Sequence, residues 1–204
     1  MPDLRAHLSR ILQGRVCVVG VGSTDCGDDG FGVRLAEALG KSEVRSPKAE
    51  GNPKTGAWRN GASDADSDLG YRVWRFGFGS IIVAGNAPER VIGQATDGGL
   101  DTVLFLDAAE FGAAPGSVVV LNSSDIRARF PQVSTHRMSL GLLAKWVEAN
   151  GRTKAWLLAV QPESLKPGAG LTPRVQAALE ILRHWLCAVL AREQHNFPRT
   201  REAA

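Results

Sequence analysis

Cysteine is scarce in this chain: Cys17, Cys26 and Cys187 are the only three in 204 residues. They are widely spaced, odd in number and form no Cys-x-x-Cys pair, which excludes a disulfide framework and leaves a structural zinc site without support. Cys17 falls in an apolar run and Cys187 in a helical one, where thiols are usually inert; Cys26 lies in an acidic loop, where a reactive role stays open. No dense Lys/Arg run interleaved with aromatics occurs, aromatic residues make up 6%, and the net charge is only +3. That balance is too mild to argue for a nucleic-acid partner. No apolar stretch approaches the length of a membrane span. The segment Met1 to Gln13 carries Arg5, His7 and Arg10, so it lacks the uninterrupted apolar core of a signal peptide and reads as a short helical lead-in. The cytoplasm is therefore the expected compartment, with no membrane insertion.

Hydrophobic residues make up 44% and charged residues 22%, ordinary for a globular protein, and the length suffices for one domain with a full core. Residues 1–192 are expected to form that domain. The segment from about 41 to 72 reads as a flexible insertion: it holds Pro47, Pro53, many Ser and Asp, and no hydrophobic periodicity. Residues 193–204 read as a polar tail.

The informative stretch is Val18-Val19-Gly20-Val21-Gly22-Ser23-Thr24-Asp25-Cys26-Gly27-Asp28-Asp29-Gly30-Phe31-Gly32. An apolar run stops at a loop rich in glycine and acid, and Phe31, Leu35 and Leu39 then recur at helical spacing. Strand, tight loop and helix form the opening unit of a parallel α/β sheet, whose sites lie beyond the carboxyl ends of its strands. Gly20-x-Gly22 suggests a dinucleotide loop, but the third glycine is missing and three carboxylates occupy the phosphate position, which suits a cation better. A nucleotide-binding enzyme of this type is the weakest of the alternatives. Of the pair Asp28-Asp29, one is expected to cap the helix and the other to be functional.

Further along, Ile81 to Ala84 is a buried-type strand ending at Gly85-Asn86, and Ala87-Pro88-Glu89 opens a brief helix. Val103 to Leu106 is the apolar run of a central parallel strand, ended by Asp107. Val118 to Leu121 follows too soon for a crossover helix, so it is expected to run antiparallel at an edge. Ser134-Thr135-His136 opens the next helix, with Leu140, Leu143, Ala144 and Val147 on its buried face. Trp156 to Val160 is the last strand, and Thr172-Pro173 opens a long helix striped by Leu179, Leu182 and Leu186. Asp29, Asp107 and His136 thus fall in loops expected at one sheet edge. Two carboxylates and an imidazole suit a divalent transition ion such as nickel, zinc or iron, and three protein ligands leave positions open. Taken singly, each is more often a turn former or a surface residue. Glu163 is the substitute acid; His7, His184 and His195 read as solvated.

Assembled, these segments resemble the [NiFe]-hydrogenase maturation endopeptidases. The likeness rests on Gly20-Val-Gly22 with Gly27-Asp-Asp-Gly-Phe-Gly32, Gly85-Asn-Ala-Pro-Glu89, Leu106-Asp107-Ala-Ala109 before Pro115-Gly116, Thr135-His136, and Gln161-Pro-Glu-Ser164 before Gly170-Leu-Thr-Pro173. The resemblance implies a three-layer α/β/α sandwich with a mostly parallel five-stranded twisted sheet. It implies a monomeric, aspartic-type endopeptidase that removes the C-terminal extension of a hydrogenase large-subunit precursor once nickel is inserted. By the same resemblance Asp29, Asp107 and His136 are the catalytic and nickel-contacting residues, the nickel arriving with the precursor. Ser23 stands where the family usually has Asn, Asp29 is shorter than the Glu of some members, and the 41–72 segment is longer than the family needs. A non-catalytic nickel-binding assembly factor built on the same ligands is the other alternative.

Overall fold

A computed structural model describes residues 3–42, 63–66, 71–96, 99–130 and 139–196. The lead-in folds as helix α1 (Leu4–Ile11), its first turn capped by Asp3, whose carboxylate accepts the Arg5 amide. Seven strands follow among the described residues: β1 (Val16–Val21), β2 (Ser63–Asp66), β3 (Tyr71–Phe76), β4 (Gly79–Gly85), β5 (Thr102–Ala108), β6 (Val118–Asn122) and β7 (Lys154–Val160). The remaining helices are α2 (Phe31–Lys41), α3 (Glu89–Thr96), α4 (Ser123–Arg129), α5 (Leu140–Val147) and α6 (Pro173–Asn196).

The strands form one sheet in the order β2-β3-β4-β1-β5-β7-β6. Its centre, β4-β1-β5-β7, is parallel; β3, β2 and β6 extend it by antiparallel pairing. Every residue of β1 is buried, as are six of the seven in β5, which is why both read as unbroken apolar runs: helices cover both faces of a parallel sheet. One apolar layer joins Phe31, Leu35 and Leu39 of α2 and Leu179, Leu182 and Leu186 of α6 to Val16 and Val18. The other joins Ile126 of α4 and Leu143 and Val147 of α5 to Val19 and Phe105. Alternate residues of one strand thus feed opposite layers, and the α/β/α sandwich follows, with seven strands rather than five.

Three expectations need correction in detail. A helix the sequence reading missed, α4, lies between β6 and α5, and α5 begins at Leu140, capped by Ser139, whose side chain accepts the Leu142 amide. The tail begins later than residue 193: α6 continues to Asn196, and the Glu193 carboxylate accepts the Gly14 amide at 3.1 Å. His7 is half-buried rather than solvated, its ring edge-on to Trp156 at 5.5 Å. The 41–72 segment lies mostly outside the described residues; its described parts include β2 and the start of β3, which pair antiparallel.

Glycines set how closely α2 lies on the sheet. A β-carbon on Gly20 would come 2.5 Å from the Gly32 carbonyl oxygen, and one on Gly32 would come 2.0 Å from that of Leu106. Real β-carbons do not approach backbone so closely, so this pair of glycines lets the start of α2 lie directly across β1 and β5. The helix start is thereby seated one residue from Asp107.

Candidate active site

The loop after β1 runs from Gly22 through a 3-10 turn, Gly27–Gly30, into α2. Both acids of the turn are buried, Asp28 wholly and Asp29 with 6% exposure. Asp29 turns back on its own loop, where its Oδ2 accepts the Ser23 amide at 2.7 Å. Its Oδ1 has no hydrogen bond among the described residues, and the carboxylate lies at the start of α2, where the helix dipole favours negative charge.

Asp107 stands at the end of β5 with 3% exposure. Its Oδ1 accepts the Ala108 amide at 2.9 Å. Both residues border Gly22: a β-carbon there would lie 1.9 Å from the Asp29 backbone carbonyl oxygen and 3.7 Å from the Asp107 carboxylate oxygen Oδ1. The Gly22 amide donates to the Gly85 carbonyl at 3.1 Å, which ties the end of β4 to the same place. The end of β4, the loop after β1 and the end of β5 thus border Gly22.

His136 lies outside the described residues. The helix after it, α5, ends beside the start of β7, where the Glu148 carboxylate accepts the Ala155 amide. The start of α5 thus faces the edge that carries the two acids. Among the described residues no group of three or more His, Cys, Asp or Glu side chains is placed to hold a metal ion.

Neither acid of the turn caps α2, contrary to the expectation for one of them; α2 has no side-chain cap. Gly27, at φ +57°, and the tight turn after it send the Asp28 side chain away from the helix. It reaches the loop after β7 instead. Asp28 Oδ2 accepts the amides of Glu163 at 2.8 Å and Ser164 at 3.0 Å, and Oδ1 accepts the Thr172 amide at 2.7 Å. The Thr172 hydroxyl adds a bond to Oδ2 at 3.0 Å. Glu163, the substitute acid, is exposed and enters this arrangement only through its backbone.

Gln161, which the sequence reading took only as part of a loop, organises the chain beyond Asp107. Buried to 4% exposure, its Oε1 accepts the amides of Phe111 at 2.9 Å and Ala113 at 3.2 Å, while its Nε2 donates to Glu110. Glu89 keeps one carboxyl oxygen, Oε2, buried with no hydrogen-bond partner among the described residues, at the start of α3. Cys26 is half-buried and Cys17 fully buried. Burial pushes the Cys17 thiol up to about 11, against the smaller opposing effects of the Ser80 hydroxyl and Arg75.

A doubly covered α/β sheet with two buried acids at its carboxyl edge defines a class of hydrolase-like folds rather than one activity. The comparisons narrow it. A family model for hydrogenase maturation protease matches residues 76–188. The chain is 26% identical over 170 residues to the hydrogenase 2 maturation protease of Escherichia coli K12, covering 81% of this chain and 84% of that one. Among solved structures, the hydrogenase maturating endopeptidase HybD of Escherichia coli aligns with a TM-score of 0.61 at 26% identity, over 87% of this chain and 93% of the other. The [NiFe] hydrogenase maturation protease HycI of Thermococcus kodakarensis aligns with a TM-score of 0.65 at 22% identity, over 90% of this chain and 98% of the other, a likeness of fold. The chain belongs to the hydrogenase maturation protease family. No helix among the described residues is long and apolar enough to cross a membrane.

Proposed function

We propose that this chain cleaves the C-terminal extension from the large-subunit precursor of a [NiFe]-hydrogenase after nickel insertion, and that Asp29, Asp107 and His136 read the nickel. The observation that supports the reading is that two buried acids, 78 positions apart in sequence (107 minus 29), border Gly22 at the sheet edge, Asp29 through its backbone carbonyl and Asp107 through its carboxylate. Carboxylate oxygens and an imidazole match the ligand preferences of a borderline divalent ion.

In this reading the nickel is part of the substrate, delivered by the precursor. The acids and the histidine contact it only when the precursor presents it, and those contacts fix the chain to be cut at the edge of the sheet. Hydrolysis then adds one water across one peptide bond: the carbonyl carbon takes the hydroxyl and the leaving nitrogen takes the proton. Gating by cargo follows, because the protein's own residues are an incomplete binding site without the precursor's share. The chemistry belongs in the cytoplasm, where the precursor is assembled, and a single copy of the chain suffices.

The test is to co-express the chain with a tagged large-subunit precursor, with and without nickel in the medium, and to weigh the precursor by mass spectrometry. One discrete shortening that depends on nickel supports the proposal. A precursor of unchanged mass in nickel-replete cells would leave only the assembly-factor reading.

A further inference from the structure

Among the described residues, the densest polar contact between distant parts of the chain involves a residue with no part in the proposed coordination. Asp28 is fully buried, and its two carboxylate oxygens accept four hydrogen bonds, three from backbone amides and one from a hydroxyl, across sequence separations of 135 to 144 residues. The two side-chain oxygens of an Asp can together accept from all four donors. Backbone bonds add to it: the Asp28 amide donates to the Ser164 carbonyl at 2.9 Å, and the Gly168 amide to the Asp25 carbonyl at 2.7 Å. Gly27 completes the fit, since a β-carbon there would come 2.5 Å from the Ser164 carbonyl oxygen.

Two features show that this clasp does more than fill space. It joins the loop that carries Asp29 to the loop that follows β7, both at the carboxyl edge of the sheet. Within the clasped loop Glu163, Leu165 and Lys166 turn outward, Leu165 to 42% exposure, while Pro162 is buried and Leu171 packs against the core. A stretch so firmly bound through its backbone yet solvated in its side chains is a rigid platform beside the acids.

We propose that Asp28 is a positioning residue that holds the Gln161–Thr172 loop as a preformed wall of the precursor-binding edge, with Leu165 as the wall's apolar contact. The proposal rests on the protease reading above. Asp28 acts through the loop and touches no reacting atom. Preorganisation of this kind lowers the ordering cost of binding, so its loss appears first in KM.

The experiment uses the full chain, nickel-loaded precursor and three variants: Asp28→Asn, Leu165→Ser and the double variant. Asparagine keeps the shape but turns two acceptor positions into donors facing donors. In Asp28→Asn, amide hydrogen exchange of Glu163, Ser164 and Thr172 becomes fast while β1 and β5 stay protected. KM rises about tenfold, while kcat per folded molecule falls much less. Leu165→Ser raises KM roughly fivefold at an unchanged melting temperature, and has less than about a twofold effect in the Asp28→Asn background, because the wall is already lost.

Several outcomes overturn the inference. One is a variant Asp28→Asn whose only defect is a smaller folded fraction at unchanged KM, the mark of a merely structural role. Others are a silent Leu165→Ser, or effects of the two substitutions that simply add. If wild-type protein leaves the nickel-loaded precursor intact, the protease reading fails instead; the hydrogen-exchange comparison still tests the clasp.

Discussion

A side chain on Gly22 would place its first carbon 1.9 Å from the carbonyl oxygen of Asp29. Gly22 also holds φ at +117°, a region that side chains avoid. The contact exists because the loop folds back over the end of β1, so that the Asp29 backbone borders Gly22 on a side near Asp107 Oδ1. Gly22→Ala should therefore cost about 1–3 kcal/mol of stability through backbone strain, and should lower processing well beyond that loss by moving Asp29. A melting curve and a precursor assay on the same sample check both; wild-type processing in the alanine variant would contradict the geometry.

Asp107→Asn keeps an acceptor for the Ala108 amide, which now binds Oδ1 at 2.9 Å. The fold should survive with a melting temperature close to wild type, while precursor processing is lost, because the amide is a far poorer ligand than a carboxylate for a divalent ion. His136→Ala should behave likewise. Normal processing by either variant would remove that residue from the site.

Gln161 supplies two acceptor bonds and a donor bond to the turn after Asp107. Gln161→Ala strands the Phe111 and Ala113 amides and should destabilise the protein by about 1–3 kcal/mol. Gln161→Glu instead sets a carboxylate against Glu110, and the repulsion should fade as the pair is protonated on acidification. The stability difference between Gln161→Glu and wild type should thus shrink from neutral pH toward about pH 4. A pH-independent difference would mean that Glu110 is not the partner.

The buried Cys17 thiol has its pKa raised from 9.0 to about 11 by desolvation, with the Ser80 hydroxyl and Arg75 opposing. A raised pKa means that the folded chain holds the proton longer than the unfolded one. This contribution is whole below about pH 9 and is lost as pH rises toward 11, at no more than about 1.4 kcal/mol per pH unit. Urea midpoints at pH 8.5 and 10.5 should fall more for wild type than for Cys17→Ala. Equal falls would contradict the assignment.

Much of the fold was legible because burial on both faces leaves a mark in sequence. β1 and β5 announce themselves as unbroken apolar runs, and the short span between Leu106 and Ser117 foretold that β6 runs antiparallel. The helix α4 escaped notice because only Ser123 and Ile126 of its seven residues are buried, although Asn122 offered the signal of a cap: its side chain accepts the amides of Ser124 and Asp125. That Asp29 and Asp107 both lie beyond the carboxyl ends of neighbouring parallel strands followed from the strand pattern. The role of Asp28 did not, since its partners lie 135 to 144 residues away and bind mostly through backbone amides, which no side-chain pattern reveals. Gln161 was hidden for the same reason, its acceptor bonds going to backbone about 50 residues off.

The most direct measurement is a time course of purified large-subunit precursor, nickel-loaded and nickel-free, mixed with wild-type chain or Asp29→Asn and followed by intact mass. We expect a single C-terminal truncation of the nickel-loaded precursor by wild type, and none with nickel-free precursor or with Asp29→Asn. Truncation of the nickel-free precursor, or undiminished cutting by Asp29→Asn, would contradict recognition of the ion by these acids.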